Sequence, residues 1–246
     1  MASNAQDIHI PSGGAQVPAH LVLPEGPGPH PGLLLIEEIF GVNGHIQDVC
    51  RRYADQGYAV ISVELFHRET EPHTPYTEFD VARDKKSRLT DAGVVADMRA
   101  GVDHLKGLSE VNGDKVGVLG YCMGGRMSYL AAAKMPDLAA CVVYYGGGIV
   151  SDDLNESTPA APVSMTADIQ CPVMCHFGET DHAIPLDQVD TIRKALDDAG
   201  KTSEVFVYEG AGHGFFCDHR EGHYHEAASK LSLERTLGFL EKNLKS

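Results

Sequence analysis

An apolar run over 116–119 passes directly into Gly120-Tyr121-Cys122-Met123-Gly124-Gly125, and a helix-forming run follows over 127–134. Strand, sharp turn and helix in that order leave few folds open, because such a turn lifts one side chain above a sheet edge. Gly120 and Gly124 suit the turn because they lack Cβ atoms, which lets strand and helix approach closely. The side chain lifted is that of Cys122. It falls at a helix N-terminus, where unpaired N–H groups and the positive end of the dipole favour an anion such as a thiolate. The Met123 N–H is placed to donate to an oxyanion. A buried, unreactive cysteine in a glycine-rich turn would read the same way, so the rest of the chain has to decide.

The rest of the chain supplies alternation. Short apolar runs at 7–10 and 17–23 flank Pro11-Ser12-Gly13-Gly14 and predict an opening antiparallel hairpin. Gly32-Leu33-Leu34-Leu35-Ile36 is continuously apolar, as expected of a central strand buried on both faces. Further strands are expected at 58–63, 116–119, 138–145, 173–177 and 205–208. Helices are expected at 43–55, 89–105, 186–199 and 224–244, the first capped by Asn43 with Ile46, Val49, Cys50 and Tyr53 on one face. The segments 64–86 and 149–169 show no clear period and are expected as loops, the first long enough to rim a pocket. This alternation implies a mainly parallel central sheet with helices on both faces, no large separate cap, and one domain over residues 1–246.

Sites in such sheets lie beyond the C-terminal strand ends. Four predicted strand ends carry candidates: Glu38, Cys122, Asp181 and His213. A thiol nucleophile needs a base, and the base needs an orienting group. Asp181 lies in the loop Gly178-Glu179-Thr180-Asp181, and His213 lies between glycines in Gly210-Ala211-Gly212-His213-Gly214-Phe215. Nucleophile, acid and histidine then follow in the chain order of the α/β-hydrolase fold. Each has a bland alternative. Asp181 could cap its own turn, and His213 is one of thirteen histidines. His182 reads as a loop residue.

Charge and cysteine usage narrow the partners. A formal net charge of -15 argues against nucleic acid or an anionic membrane as partner. No apolar run is long enough to span a bilayer, and the opening residues lack the basic and apolar regions of a secretory leader. Six cysteines without framework spacing suit free thiols in a reducing cytoplasm. His219, His223 and His225 have weak metal-ligand spacing and read as a solvated helix entrance, so neither metal nor organic cofactor is expected. The expected partner is a small ester or lactone, met by a monomer.

Over nearly its whole length the chain resembles the dienelactone hydrolases (carboxymethylenebutenolidases) of the α/β-hydrolase superfamily. The resemblance is carried by Glu37-Glu38-Ile39-Phe40-Gly41-Val42-Asn43, by 117–125 around Cys122, by 178–182 around Asp181, and by 210–215 around His213. It implies Cys122 as nucleophile, His213 as general base, Asp181 as its orienter, and Glu38 as a carboxylate that contacts the resting thiol. It also implies an oxyanion hole from the Ile39 and Met123 N–H groups, and pocket positions for Phe40 and for Tyr144 or Tyr145. A carboxylate near the thiol would oppose its ionisation and could accept its proton. Glu37 should point away, since neighbours alternate on an extended segment. One departure stands out. The family's carboxylate-binding arginine four positions after the histidine is replaced by Cys217, with Arg220 the nearest arginine and Arg83 the candidate for a second. Such a charge-assisted contact is worth roughly 1.5–3 kcal/mol. A broad carboxylesterase or thioesterase on neutral substrates, and a non-catalytic binding protein of the same fold, are the alternatives.

Overall fold

The computed structural model describes residues 4–246. Its centre is one eight-stranded sheet in the order β1-β2-β4-β3-β5-β6-β7-β8. β1 (Asn4–Ser12) and β2 (Ala15–Leu23) form the expected antiparallel hairpin, and β2 also pairs antiparallel with β4 (Ala59–Val63). From β4 onward every pairing is parallel, through β3 (His30–Ile36), β5 (Val111–Tyr121), β6 (Ala140–Tyr144), β7 (Val173–Gly178) and β8 (Ser203–Tyr208). Helices cover both faces, so the central strands are apolar throughout: Leu33 to Ile36 are buried without interruption.

The helices follow their caps. Asn43 Oδ1 accepts the N–H groups of His45 and Ile46 at 3.1 and 3.2 Å and starts α1 (Gly44–Ala54). Ile46, Val49, Cys50 and Tyr53 form its buried stripe. Thr90 caps α3 (Asp91–Gly107) through the Gly93 N–H at 3.1 Å, so this helix begins two residues later than its apolar pattern suggests. The elbow helix α4 (Met123–Lys134) starts directly after Cys122. α5 (Leu186–Asp198) follows β7. His225 caps α6 (Glu226–Leu240) by accepting the Ala228 N–H at 3.2 Å, and a wider turn over Glu241–Lys245 ends the chain.

Two expected loops contain helical turns. α2 (Phe79–Ser87) occupies the end of the 64–86 segment. Its period was hidden because only Ala82 and Lys85 are buried, while Phe79 and Val81 are exposed. A tight 3₁₀ turn, Pro162–Asp168, lies within 149–169. Among the described residues no helix is long and apolar enough to cross a membrane.

Candidate active site

β5 delivers Cys122 into a backbone conformation that few residues adopt, with φ 55° and ψ −117°. Holding a non-glycine residue there costs about 1–3 kcal/mol, which the surrounding packing has to overcome. The glycines explain how the turn closes. A Cβ on Gly120 would overlap the Gly124 carbonyl, and one on Gly124 would overlap the Ile36 carbonyl. The Cys122 N–H is fixed to the Tyr144 carbonyl at 3.0 Å, which ties the elbow to the neighbouring strand.

The loops after β7 and β8 bring Asp181 and His213 to the same sheet edge. His213 Nε2 lies 3.1 Å from Cys122 Sγ, and its Nδ1 lies 2.8 Å from Asp181 Oδ2. The other carboxylate oxygen, Oδ1, accepts the Ala183 N–H at 2.9 Å. Asp181 therefore caps its own turn and orients the histidine, so both readings of that residue hold together. The Asp181 side chain is fully buried and that of His213 is a quarter exposed. Burial opposes a charged imidazole, but Cys122 and Asp181 outweigh it, and His213 is pushed up to about 10.

The Ile39 and Met123 N–H groups donate to no protein acceptor among the described residues. Their availability is explained by position. Ile39 lies in the turn after β3, whose Gly41 N–H returns to the Glu38 carbonyl at 3.3 Å, and Met123 opens α4. A cavity of about 480 Å³ opens over Cys122 and His213, walled by Phe40, Phe79, His182 and Arg220. The Arg220 guanidinium lies 5.2 Å from the Phe40 ring centre and 5.4 Å from that of Tyr76, so two rings hold one cation at the cavity edge.

Several expectations are corrected. Arg83 is not at this cavity. It sits on α2 and faces a separate cavity with Lys86, Arg126 and Asp153, because α2 turns it toward the 151–158 loop. Tyr144 lies within the sheet, its hydroxyl 2.7 Å from Thr236 Oγ1 in a buried network with His176. Tyr145 is the tyrosine beside the site, 5.3 Å ring to ring from His213, with φ 35°. Glu38 makes no hydrogen bond to the thiol, which is turned to His213 instead. Both carboxyl oxygens of Glu38 are buried without a partner. Burial raises its pKa, with Arg220 and His213 pulling the other way.

Glu37 does point away from the thiol. Its Oε1 accepts the Leu65 N–H at 3.0 Å beside Glu64, whose carboxylate binds the Val42 N–H at 3.1 Å. Burial and the Glu64 charge raise its pKa well above the usual range. This pair fixes the 38–42 turn from behind. Of the three C-terminal histidines, His225 is a cap, and His223 binds the His213 carbonyl at 3.1 Å. His219 groups with His45 and Asp218, and Glu38, His45 and Cys217 form a second group. Asp218 thus joins His219, while the group with Cys217 contains none of the three C-terminal histidines. His45, on the first turn of α1, carried no sequence signal for it.

Comparisons with known proteins come to the same place. Residues 17–244 match the model of the "Dienelactone hydrolase family". A Salmonella typhimurium protein named "Putative carboxymethylenebutenolidase" is 37% identical over 240 residues, covering 96% of this chain and 86% of that one. A protein of the same name from Methylorubrum extorquens is 36% identical over 224 residues, covering 91% and 76%. The crystal structure of a "Putative Dienelactone Hydrolase" from Klebsiella pneumoniae superposes with a TM-score of 0.90 at 34% identity, covering 98% of this chain and 99% of that one.

Proposed function

This chain belongs to the dienelactone hydrolase family, and from that premise we propose that it hydrolyses an ester or lactone through Cys122, His213 and Asp181. The observation that carries the reading is the unbroken line from Asp181 Oδ2 to His213 to Cys122 Sγ, at 2.8 and 3.1 Å. The thiolate attacks the carbonyl carbon. The resulting oxyanion accepts the Ile39 and Met123 N–H groups, which need no reorganisation to donate. The imidazolium gives its proton to the leaving alkoxide, which completes a thioester on Cys122. Neutral His213 then takes a proton from water, and the hydroxide releases the acid. Asp181 holds the tautomer throughout. Glu38 acts through its charge: once ionised it disfavours a thiolate nearby, so it tunes the pair without being bonded to it.

Arg220 supports a substrate with an acidic group, since it is the cation at the cavity wall. Phe40 and Phe79 on the same wall support the second reading, a carboxylesterase or thioesterase for neutral acyl groups. Six unpaired cysteines support a reducing, cytoplasmic setting, and the small cavity supports a small-molecule substrate taken up by a monomer. The test is the initial rate on a dienelactone and on a neutral aryl ester, each with and without prior cysteine alkylation. Thiol-dependent opening of the dienelactone is the expected result. Thiol-dependent turnover of the neutral ester alone would move the enzyme to the second reading. Activity that survives alkylation of Cys122 would end the cysteine mechanism.

A further inference from the structure

Behind the 38–40 turn, Glu38, His45 and Cys217 come together from three separate elements. Each offers one ligand atom, and these atoms lie within 4.8 Å of one another. All three residues are buried, at 0–1% exposure. Both oxygens of Glu38 and Nε2 of His45 are buried without a hydrogen bond, while His45 Nδ1 lies 3.3 Å from Asp218 Oδ1. Leaving buried polar groups unpaired is costly, so three in one place call for something that pairs them.

We propose that Glu38, His45 and Cys217 form a binding site for Zn²⁺. The donor set is one carboxylate oxygen, one imidazole nitrogen and one thiolate sulfur. That mixture suits a borderline-soft cation and excludes Mg²⁺ and Ca²⁺, which take oxygen. Tetrahedral zinc sites hold such atoms about 3.5 Å apart, so the ligands need close by only about 1 Å. His45 is placed as a ligand: its ring is buried, and Nε2 has no hydrogen-bond partner. Cys217 binds as the thiolate, its proton passing to solvent, so binding tightens as pH rises. Entry is through the groove lined by His45, His219 and Tyr76. His219, which also groups with His45 and Asp218, lines that entrance.

A cation here would hold the Glu38 carboxylate on the side away from Cys122. Its effect on turnover rests on the hydrolytic reading above, whereas the site itself does not. The experiment keeps the two apart. Chelator-treated full-length Cys122→Ala protein, which lacks the competing thiol, is titrated with Zn²⁺ by calorimetry and with Co²⁺ by absorbance. One equivalent of Zn²⁺ and a thiolate-to-cobalt charge-transfer band are expected. Adding Cys217→Ser should remove the band, and adding His45→Gln should weaken zinc binding by roughly tenfold or more. Circular dichroism checks that both variants fold. No saturable binding, or a band that persists with Cys217→Ser, would overturn the site. In the protein with Cys122 intact, Zn²⁺ should slow turnover and Cys217→Ser should relieve it. Equal inhibition of both would overturn the link to Glu38.

Discussion

The loops after β7 and β3 each bring a buried carboxyl to the site, and the two are kept in opposite ways. Asp181 has both oxygens engaged, one by His213 Nδ1 at 2.8 Å and one by the Ala183 N–H at 2.9 Å. Glu38, equally buried, has neither oxygen engaged. Fixed partners make Asp181 an orienting group whose charge is compensated where it stands. Absent partners leave Glu38 free to change its state when something arrives. One half of the site is therefore preset and the other conditional.

The largest test of that contrast is to remove the centre of the preset half. Cys122→Ala should lower ester or lactone turnover by roughly 10⁴-fold or more, with the circular dichroism spectrum unchanged. Asp181→Asn should follow, at about 10²–10⁴-fold in kcat, because the imidazole loses its tautomer control. The pH profile sharpens this. His213, pushed up to about 10 by Cys122 and Asp181 against the cost of its burial, stays protonated through neutral pH. The basic limb of kcat/KM should thus lie near pH 10, and Asp181→Asn should move that limb to lower pH. Arg220→Gln should lower kcat/KM by roughly 10–100-fold on a carboxylate-bearing lactone, the loss of one charge-assisted hydrogen bond, and change a neutral ester little. Glu38→Gln should have the smallest effect, less than about tenfold, together with a shift in pH dependence. A loss as large as that of Asp181→Asn would break the contrast, since Glu38 would then be as preset as Asp181.

The parts legible in the sequence are those set by local rules. The elbow glycines, the Asn43 cap and the apolar β3 run each dictate their own conformation, and the chain order of Cys122, Asp181 and His213 limits how the strands are arranged. What was hidden depends on contacts between distant segments. Arg83 and Arg220 look alike in sequence, but only the latter packs against Phe40 and Tyr76. Tyr144 and Tyr145 are neighbours, yet one backbone step at φ 35° separates a sheet interior from a ring packed on His213. His45 and Cys217 lie far apart along the chain, and only the packing of α1 against the loop after β8 unites them.

β8 is the last strand of the sheet, and the loop it feeds carries His213. An edge strand is held by one neighbour, so its hydrogen bonds should open to exchange sooner than those of β3 or β5. Catalysis would then report on an edge of the sheet and not on its centre. Under mild heat or denaturant, activity should vanish while the far-ultraviolet signal of the interior persists, and the two midpoints should separate along the temperature axis.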